Sequence, residues 1–430
     1  MTMPHPEWSY GAVLYEMNLR QLTPEGTLRA AAGRLPFLRG MGVDAVWLMP
    51  VHPIGEEGRK GSLGSYYSIR DYCAVSPELG TMADFDAFVA EAHRLGLRVL
   101  LDWVANHTAR DARWIAEHPD FYERDAAGRP AVPWDWTDTA KLDYANRGVW
   151  LAQADAMEFW VREHAVDGFR CDMAMLVPVE FWNETATRLR SLRPDLFLLA
   201  EAEETNLFDL PAFDACYGWE LHHLMVDVAQ GRVRTTALRD WMRADRSRYP
   251  RWAMRLAFTS NHDENSWSGS EFARFGAALG AMTAFTFVVP CGLPLLYTGQ
   301  EVGYDHSFAF FDRDPIPSGR YRPDGFTDLY RRLIRMRHDH PALFAGGRGG
   351  GMIEIGNNAE DCLLTMLREA GDDRVVAVMN LSPYPIHAVY HTGIYAGMYA
   401  DALTDEPYEL RGRVEEDMAP WSYRLLARRG

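Results

Sequence analysis

The chain has 430 residues, 47% of them apolar, 24% charged and 12% aromatic, which is ample for a large buried core and excludes disordered and fibrous classes. Its 60 acidic residues against 44 basic ones leave a net charge of −16. That excess repels phosphate backbones and anionic lipid, so neither nucleic acid nor a membrane surface is expected as a partner. The longest apolar window, 272–297, is interrupted by Arg274, Pro290 and Pro294 and is too broken to span a bilayer. Residues 1–10 lack the basic stretch and apolar run of a secretory signal. The five cysteines, Cys73, Cys171, Cys216, Cys291 and Cys362, are isolated and form no CxxC pair. This usage fits a reducing, cytoplasmic setting with mostly buried thiols rather than a disulfide frame or a zinc site.

Between residue 12 and about 338, short apolar runs alternate with longer segments of 3.6-residue periodicity. Strands are expected at 13–17, 45–49, 98–102, 168–172, 196–200, 215–217, 255–259 and 295–297. Helices are expected at 27–41, 83–95, 147–164, 178–192 and 327–338. Eight alternating units suit a closed (β/α)8 TIM barrel better than an open doubly wound sheet, and no glycine-rich phosphate fingerprint follows the first strand. Two connections, 50–81 and 104–146, far exceed the usual length of about 2–6 residues. Both leave the C-terminal ends of strands, where barrel enzymes build their sites, so they are the expected substrate walls. The barrel is thus assigned to 1–103 and 147–341, with a short inserted lobe at 104–146 after the third strand. Past Pro341 a glycine-rich break at 346–351 leads into short alternating runs at 352–355, 363–366, 375–380, 387–390 and 422–426. These define a C-terminal antiparallel β-sandwich domain over 342–430.

Polar chemistry collects at the strand ends. The third strand ends in Asp102, Asn106 and His107, the fourth in Arg170 and Asp172, the fifth in Glu201, and the seventh in Asn261, His262 and Asp263. Alternation along the fourth strand puts Arg170 and Asp172 on one face and Phe169 and Cys171 on the other. Arg170 is expected to hold Asp172 ionised with a low pKa, while the apolar run before Glu201 should raise that carboxyl toward a proton donor. A nucleophilic carboxylate beside a protonated one is what retaining glycoside hydrolysis requires, and a third carboxylate, Asp263, is available to stabilise positive charge on the sugar.

These residues, in this order, resemble the sequence regions of the alpha-amylase superfamily of glycoside hydrolases, family 13. Residues 64–72, with Tyr66, Tyr67 and Tyr72, resemble the loop that supplies a stacking tyrosine. Residues 292–301 resemble the family's eighth-strand segment, and Ala419, Pro420 and Trp421 the end of its β domain. The resemblance implies Asp172 as nucleophile, Glu201 as general acid/base and Asp263 as transition-state stabiliser. It further implies Arg170 orienting the nucleophile, His107 and His262 bonding sugar hydroxyls, Tyr67 rather than Tyr66 stacking on the ring, and Asp102 as a supporting residue. The implied activity is cleavage of α-1,4 bonds in maltooligosaccharides or starch-like glucans, with an α-glucan as partner. A glucanotransferase, or an α-1,6 or exo-acting α-glucosidase, is the alternative within the superfamily. A non-catalytic glucan-binding protein, or a metal-dependent hydrolase using Asp102, His107 and His262, is the alternative outside it.

The sequence departs from the family pattern at residues 173–176, Met-Ala-Met-Leu, where many alpha-amylases carry a Lys-His pair that serves the leaving-group sugars and a calcium ion. The chemistry needs no cofactor. A structural calcium ion has only Asn106 and Asp143 as oxygen candidates, short of the six to eight ligands calcium takes. The short lobe predicts an open cleft. Other conspicuous residues read as structural: His222 and His223 as a partly exposed helical pair, Glu203 and Glu204 as helix-entry carboxylates or neighbours that raise the acid, and Glu56, Glu57, Arg59 and Lys60 as a solvated loop tip. Trp103, Trp134, Trp136 and Trp267 either stack on sugars or anchor loops, and Cys171 should face away from the site.

Overall fold

The structure, a computed structural model, describes residues 5–428. Its first strands are β1 (Leu14–Met17), β2 (Ala45–Leu48) and β3 (Arg98–Val104), followed by an antiparallel pair in the lobe, β4 (His107–Ala109) and β5 (Thr139–Lys141). Then come β6 (Gly168–Asp172), β7 (Phe197–Ala200), β8 (Ala215–Tyr217), β9 (Met254–Ala257) and β10 (Gly292–Tyr297). The eight strands other than the lobe pair close into a parallel barrel, β10 returning to β1 through the register Leu14 to Leu295. All eight coincide with expected strands, because each is a short apolar run bounded by helical periodicity.

Side-chain alternation divides the barrel into two packed layers. Val13, Tyr15, Val46, Leu48, Val99, Leu101, Phe169, Cys171 and Leu198 face outward and pack with the helices in one large core. Leu14, Trp47, Leu100, Phe197, Leu199, Tyr217, Met254, Leu256 and Leu295 face inward and plug the barrel. Two residues further along several strands the inward position turns from apolar to charged: Leu14 gives way to Glu16, Leu100 to Asp102 and Leu199 to Glu201, and all three charged residues are buried. The apolar plug therefore supports a charged layer at the C-terminal mouth.

The periodic helices match closely at Met82–Arg94, Arg147–His164, Val179–Leu192 and Gly325–Asp339. The exception is the first, expected as one element over 27–41, which divides into Leu28–Ala32 and Leu35–Met41. Gly33 ends the first piece and Pro36 starts the second, where its missing N–H costs nothing. Among the described residues, no helix is long and apolar enough to cross a membrane. Two of the five cysteines, Cys171 and Cys216, are buried, Cys291 and Cys362 are half-buried, and Cys73 is exposed, so the thiols are less covered than expected.

The C-terminal domain is a six-stranded antiparallel sheet over a two-stranded ribbon. Its strands are β11 (Gly351–Glu354), β12 (Leu363–Ala370), β13 (Asp373–Asn380), β14 (Ile386–Tyr390), β15 (Gly397–Asp401), β16 (Pro407–Leu410), β17 (Val414–Met418) and β18 (Tyr423–Arg428). The sheet runs β11-β12-β13-β18-β15-β16, and β14 pairs with β17. Three of these, β15, β16 and β17, escape the sequence reading. Their residues are largely charged or exposed and carry little apolar alternation, as suits strands near a sheet edge or in a ribbon.

Candidate active site

The charged layer at the barrel mouth is organised by one guanidinium. Arg170 is fully buried, and its Nη1 lies 2.9 Å from Asp102 and 3.0 Å from Asp172, while Nη2 lies 2.9 Å from Glu201. The two Nη1 contacts are directed hydrogen bonds; the contact to Glu201 is an ion contact off the N–H axis. Register makes this possible, since Arg170 on β6 sits directly beside Asp102 on β3 and Leu199 on β7. Asp102 is further held by the Trp47 indole N–H at 3.1 Å and the Tyr67 hydroxyl at 3.0 Å. Glu201 accepts a hydrogen bond from the backbone N–H of Met173 at 2.8 Å. Met173 takes a left-handed conformation, φ 43°, directly after Asp172. A non-glycine residue so placed is a strained turn of the kind that collects at functional sites, and here it aims a main-chain donor at Glu201.

Above this layer opens a cleft of about 460 Å3. Asp172, Glu201, Asp263, Tyr67, His107 and His262 all line it, while Arg170 and Asp102 lie beneath. The sequence-predicted residues thus converge, although they come from five separate stretches of chain. Asp263 lies in the first turn of the helix His262–Ser268, whose N-cap Asn261 accepts a hydrogen bond from the Glu264 N–H. His262 Nε2 lies 3.2 Å from Asp263 and 2.7 Å from the Tyr67 hydroxyl, and the Tyr67 ring stacks on the imidazole at 5.3 Å between centroids. Tyr66, the competing tyrosine, is turned away, its hydroxyl bonded to Asn18 and its ring under Arg20.

Electrostatics correct one expectation. Arg170 was expected to keep the Asp172 pKa low, but burial, followed by the neighbouring Glu201, pushes it well above the usual aspartate range. The cause is sharing: one guanidinium serves Asp102, Asp172 and Glu201 and cannot offset the desolvation of each. Glu201 is also raised, by burial first, against the pull of Arg170. Asp263 goes the other way, since the attraction of His262 overcomes its burial and lowers it. Burial lowers His107 to about 4, so it is neutral, and its Nδ1 faces the Asn106 amide at 3.3 Å, leaving the other nitrogen as the N–H donor.

Both long connections line the cleft, the first with Lys60, Ser65 and Tyr67, the second with His107, Asp135, Trp136, Asp138 and Thr139. Lys60 is no mere solvated tip, since its ammonium spans from its own loop to Asp138 at 3.3 Å. A third wall escapes the sequence reading: Phe310 and Phe311, after β10, pack on Trp267 at 5.2 and 5.7 Å. Their signal was faint, two adjacent aromatics in a loop without periodicity. The tryptophans divide: Trp136 lies 5.1 Å from His107 and lines the cleft, Trp134 and Trp267 are 62% and 61% exposed, and Trp103 is buried in the barrel–helix layer, not a sugar platform. His222 is fully buried against Phe258, so the partly exposed pair contains one exposed member, His223. Glu203 accepts the Glu220 N–H at 3.0 Å and caps the helix Trp219–Ala229, burial raising it to about 7. Cys171 faces the helices as expected. Glu16, a fully buried carboxylate 2.5 Å from His262, was also missed.

The candidate metal donors carry other contacts. Both oxygens of Asp102 are engaged by Arg170, Trp47 and Tyr67. Asp143 accepts the Ala145 N–H in a local turn, and Asn106 turns its amide nitrogen to His107. Among the described residues, no group of three or more His, Cys, Asp or Glu side chains is spaced to hold an ion.

A family model for the alpha-amylase catalytic domain matches residues 11–136 and 134–315. The chain belongs to the alpha-amylase family. Its alpha-amylase likeness extends through the whole described fold: a maltogenic alpha-amylase from Thermotoga neapolitana superposes with a TM-score of 0.87 at 29% identity, covering 98% of this chain and 99% of that one. In sequence it is 30% identical over 397 residues to alpha-amylase MalA of Haloarcula japonica, covering 88% of this chain and 57% of that protein. It is 38% identical over 397 residues to an alpha-1,4-glucan:maltose-1-phosphate maltosyltransferase of Arcanobacterium haemolyticum, covering 84% of this chain and 55% of that protein. The chain therefore spans little more than half the length of these two alpha-amylase-family relatives.

Proposed function

We propose that the chain is a retaining glycoside hydrolase that cleaves α-1,4-glucosidic bonds of maltooligosaccharides or starch-like glucans. The observation that carries this reading is the pairing of Asp172 and Glu201 across one buried guanidinium, at 3.0 and 2.9 Å, in the cleft that also holds Asp263. Both carboxyls are raised by burial, and Glu201 raises Asp172 further, which favours a state in which only one of the two is ionised. In the reactive form Glu201 carries the proton. The Asp172 oxygen attacks the anomeric carbon while Glu201 passes its proton to the departing glycosidic oxygen, leaving a glycosyl ester and a free hydroxyl on the leaving sugar. Glu201, now a carboxylate, takes a proton from water as the water oxygen attacks the same carbon and releases Asp172. Two inversions retain the anomeric configuration. Asp263, held ionised by His262, supplies negative charge against the oxocarbenium-like transition state.

A second reading, maltosyl transfer from maltose 1-phosphate, is raised by the relative of that name. The cleft lining disfavours a phosphorylated donor. Beside Asp172, Glu201 and Asp263 it carries Asp135 and Asp138, against the ammonium of Lys60, itself tied to Asp138, and the imidazole of His262, itself held by Asp263 and Glu16. A neutral glucan meets no such repulsion.

Incubation with maltoheptaose, followed by chromatography of the products, tests the reading. Shorter oligosaccharides are expected, and Asp172→Asn should lower turnover about 10³-fold or more while sugar binding persists. Products longer than maltoheptaose would mark a transferase, and consumption of maltose 1-phosphate with a glucan acceptor would mark the second reading. Unchanged maltoheptaose at high enzyme concentration would overturn the hydrolase.

A further inference from the structure

Glu16 lies at an inward position of β1 and is fully buried, yet it does not line the cleft. Its Oε1 is 2.5 Å from His262 Nδ1, and its Oε2 has no hydrogen-bond partner. A buried carboxylate with an orphaned oxygen is costly, and this one is aimed at the imidazole beside the proposed transition-state stabiliser.

Hydrogen-bond accounting sets the protonation of that imidazole. The Tyr67 hydroxyl has one proton and donates it to Asp102 Oδ2 at 3.0 Å. His262 Nε2 faces the Tyr67 oxygen at 2.7 Å and the Asp263 carboxylate at 3.2 Å, both acceptors, so Nε2 must donate. Nδ1 faces only Glu16 and, with that carboxylate ionised, donates as well. An imidazole with two N–H groups is an imidazolium.

We propose that Glu16 is a positioning residue that holds His262 as a doubly donating imidazolium, through which the Asp263 carboxylate is kept oriented and ionised in the cleft. The assignment rests on the glycosidase reading for its link to turnover, but not for the state of His262. The charged and titratable groups around the pair agree with it. Asp263 and Glu16 together hold His262 well above the usual histidine range despite its burial. Glu16 itself is raised by burial and drawn back by His262 and Arg170, with Asp102 opposing; Tyr217 and Tyr297 face it from β8 and β10, and Glu201 adds its field at His262. Without Glu16, neutral His262 would keep one proton. With that proton on Nδ1, a lone pair would point at Asp263.

Two measurements on Glu16→Gln test this. In proton NMR, the downfield imidazole N–H signal of the short Glu16–His262 bond should be present in the wild type and in Asp172→Asn, and absent in Glu16→Gln. This readout needs no substrate, so it remains decisive even if maltoheptaose is untouched and the hydrolase reading fails. In a pH titration of the His262 ring C–H NMR shift, the alkaline limb marks the loss of the imidazolium as pH rises through the His262 pKa. Removing Glu16 lowers that pKa, so the alkaline limb of Glu16→Gln should move down by about one pH unit or more. If Glu16→Gln does not fold, Glu16→Asp, whose carboxylate stands one methylene back, should weaken the downfield signal and move the limb in the same direction by less. A retained signal in Glu16→Gln, or alkaline limbs that superpose on the wild type in the variant that folds, would overturn the proposal.

Discussion

Asp172 is held in its site against its own preference, and the price appears in stability. Its folded pKa is raised above the ordinary aspartate value of 3.8, by burial and then by Glu201. A carboxyl raised in the folded state binds its proton more tightly there than in the unfolded chain, so it favours folding at low pH. That contribution is lost as pH rises from the unfolded value through the folded one. Asp172→Asn removes the ionisation and should therefore raise Tm near pH 7 by about 1–3 °C, with little gain at about pH 3, where the aspartate is protonated in the fold and largely protonated in the unfolded chain. Thermal melts at the two pH values check this; a variant less stable than the wild type at pH 7 would mean that Arg170 stabilises Asp172 more than burial and Glu201 oppose it. The sequence disclosed Asp172, Glu201 and Asp263 because each stands at the C-terminal end of an expected barrel strand. It hid the direction of the Asp172 shift, since Arg170 is shared with Asp102 and Glu201, which lie 68 and 31 positions away in the chain and meet it only in the barrel. Glu16 carried the same kind of signal, an acidic side chain inside the run Leu14-Tyr15-Glu16-Met17, but its partner lies 246 residues away.

At the scale of elements, the strands and two of the three walls were legible, and the third wall was not. Apolar runs at fixed alternation identify all eight barrel strands, whereas the aromatics at Phe310 and Phe311 follow no period and depend on where a long loop folds back. The division of 27–41 into two helices was written in Gly33 and Pro36 but masked by continuous apolar periodicity. One glycine has a sharper role. Gly168 opens β6 on the inward face below Arg170 and Asp172, and a Cβ there would stand 2.0 Å from the Phe197 carbonyl oxygen and 2.9 Å from Leu100. The first obstacle is backbone of β7 and cannot rotate aside, so Gly168→Ala must push β6 and β7 apart directly beneath the paired carboxyls. A loss of about 1–3 kcal/mol in stability is expected, read as a lower urea midpoint at unchanged m, together with reduced turnover. Wild-type stability in this variant would show that the two strands separate without cost.

The whole molecule is joined through its β domain. On the central strands of that domain, Leu364, Met366, Val375, Ala377, Leu425 and Ala427 belong to the same core as the barrel–helix layer. The alternate residues Leu363, Leu367, Val376, Val378 and Leu426 pack toward the β14–β17 ribbon. Arg368, fully buried, crosses the junction to the carbonyls of Val288 and Val289 at the end of the helix Leu279–Val288, and Arg243 pairs with Glu354 across it. At about 1.5–3 kcal/mol for each fully buried large aliphatic side chain, Leu364, Met366, Val375 and Leu425 contribute an amount comparable with the net stability of a typical domain, about 5–15 kcal/mol. Neither part then has a stable state without the other. Calorimetry of the full chain should give one endotherm, and a chain ended after Gly350 should be insoluble, because the face that covered its helices is gone. Two resolved endotherms, or a soluble cooperative barrel from the shortened chain, would instead make the β domain an appendage whose contacts add little to the core.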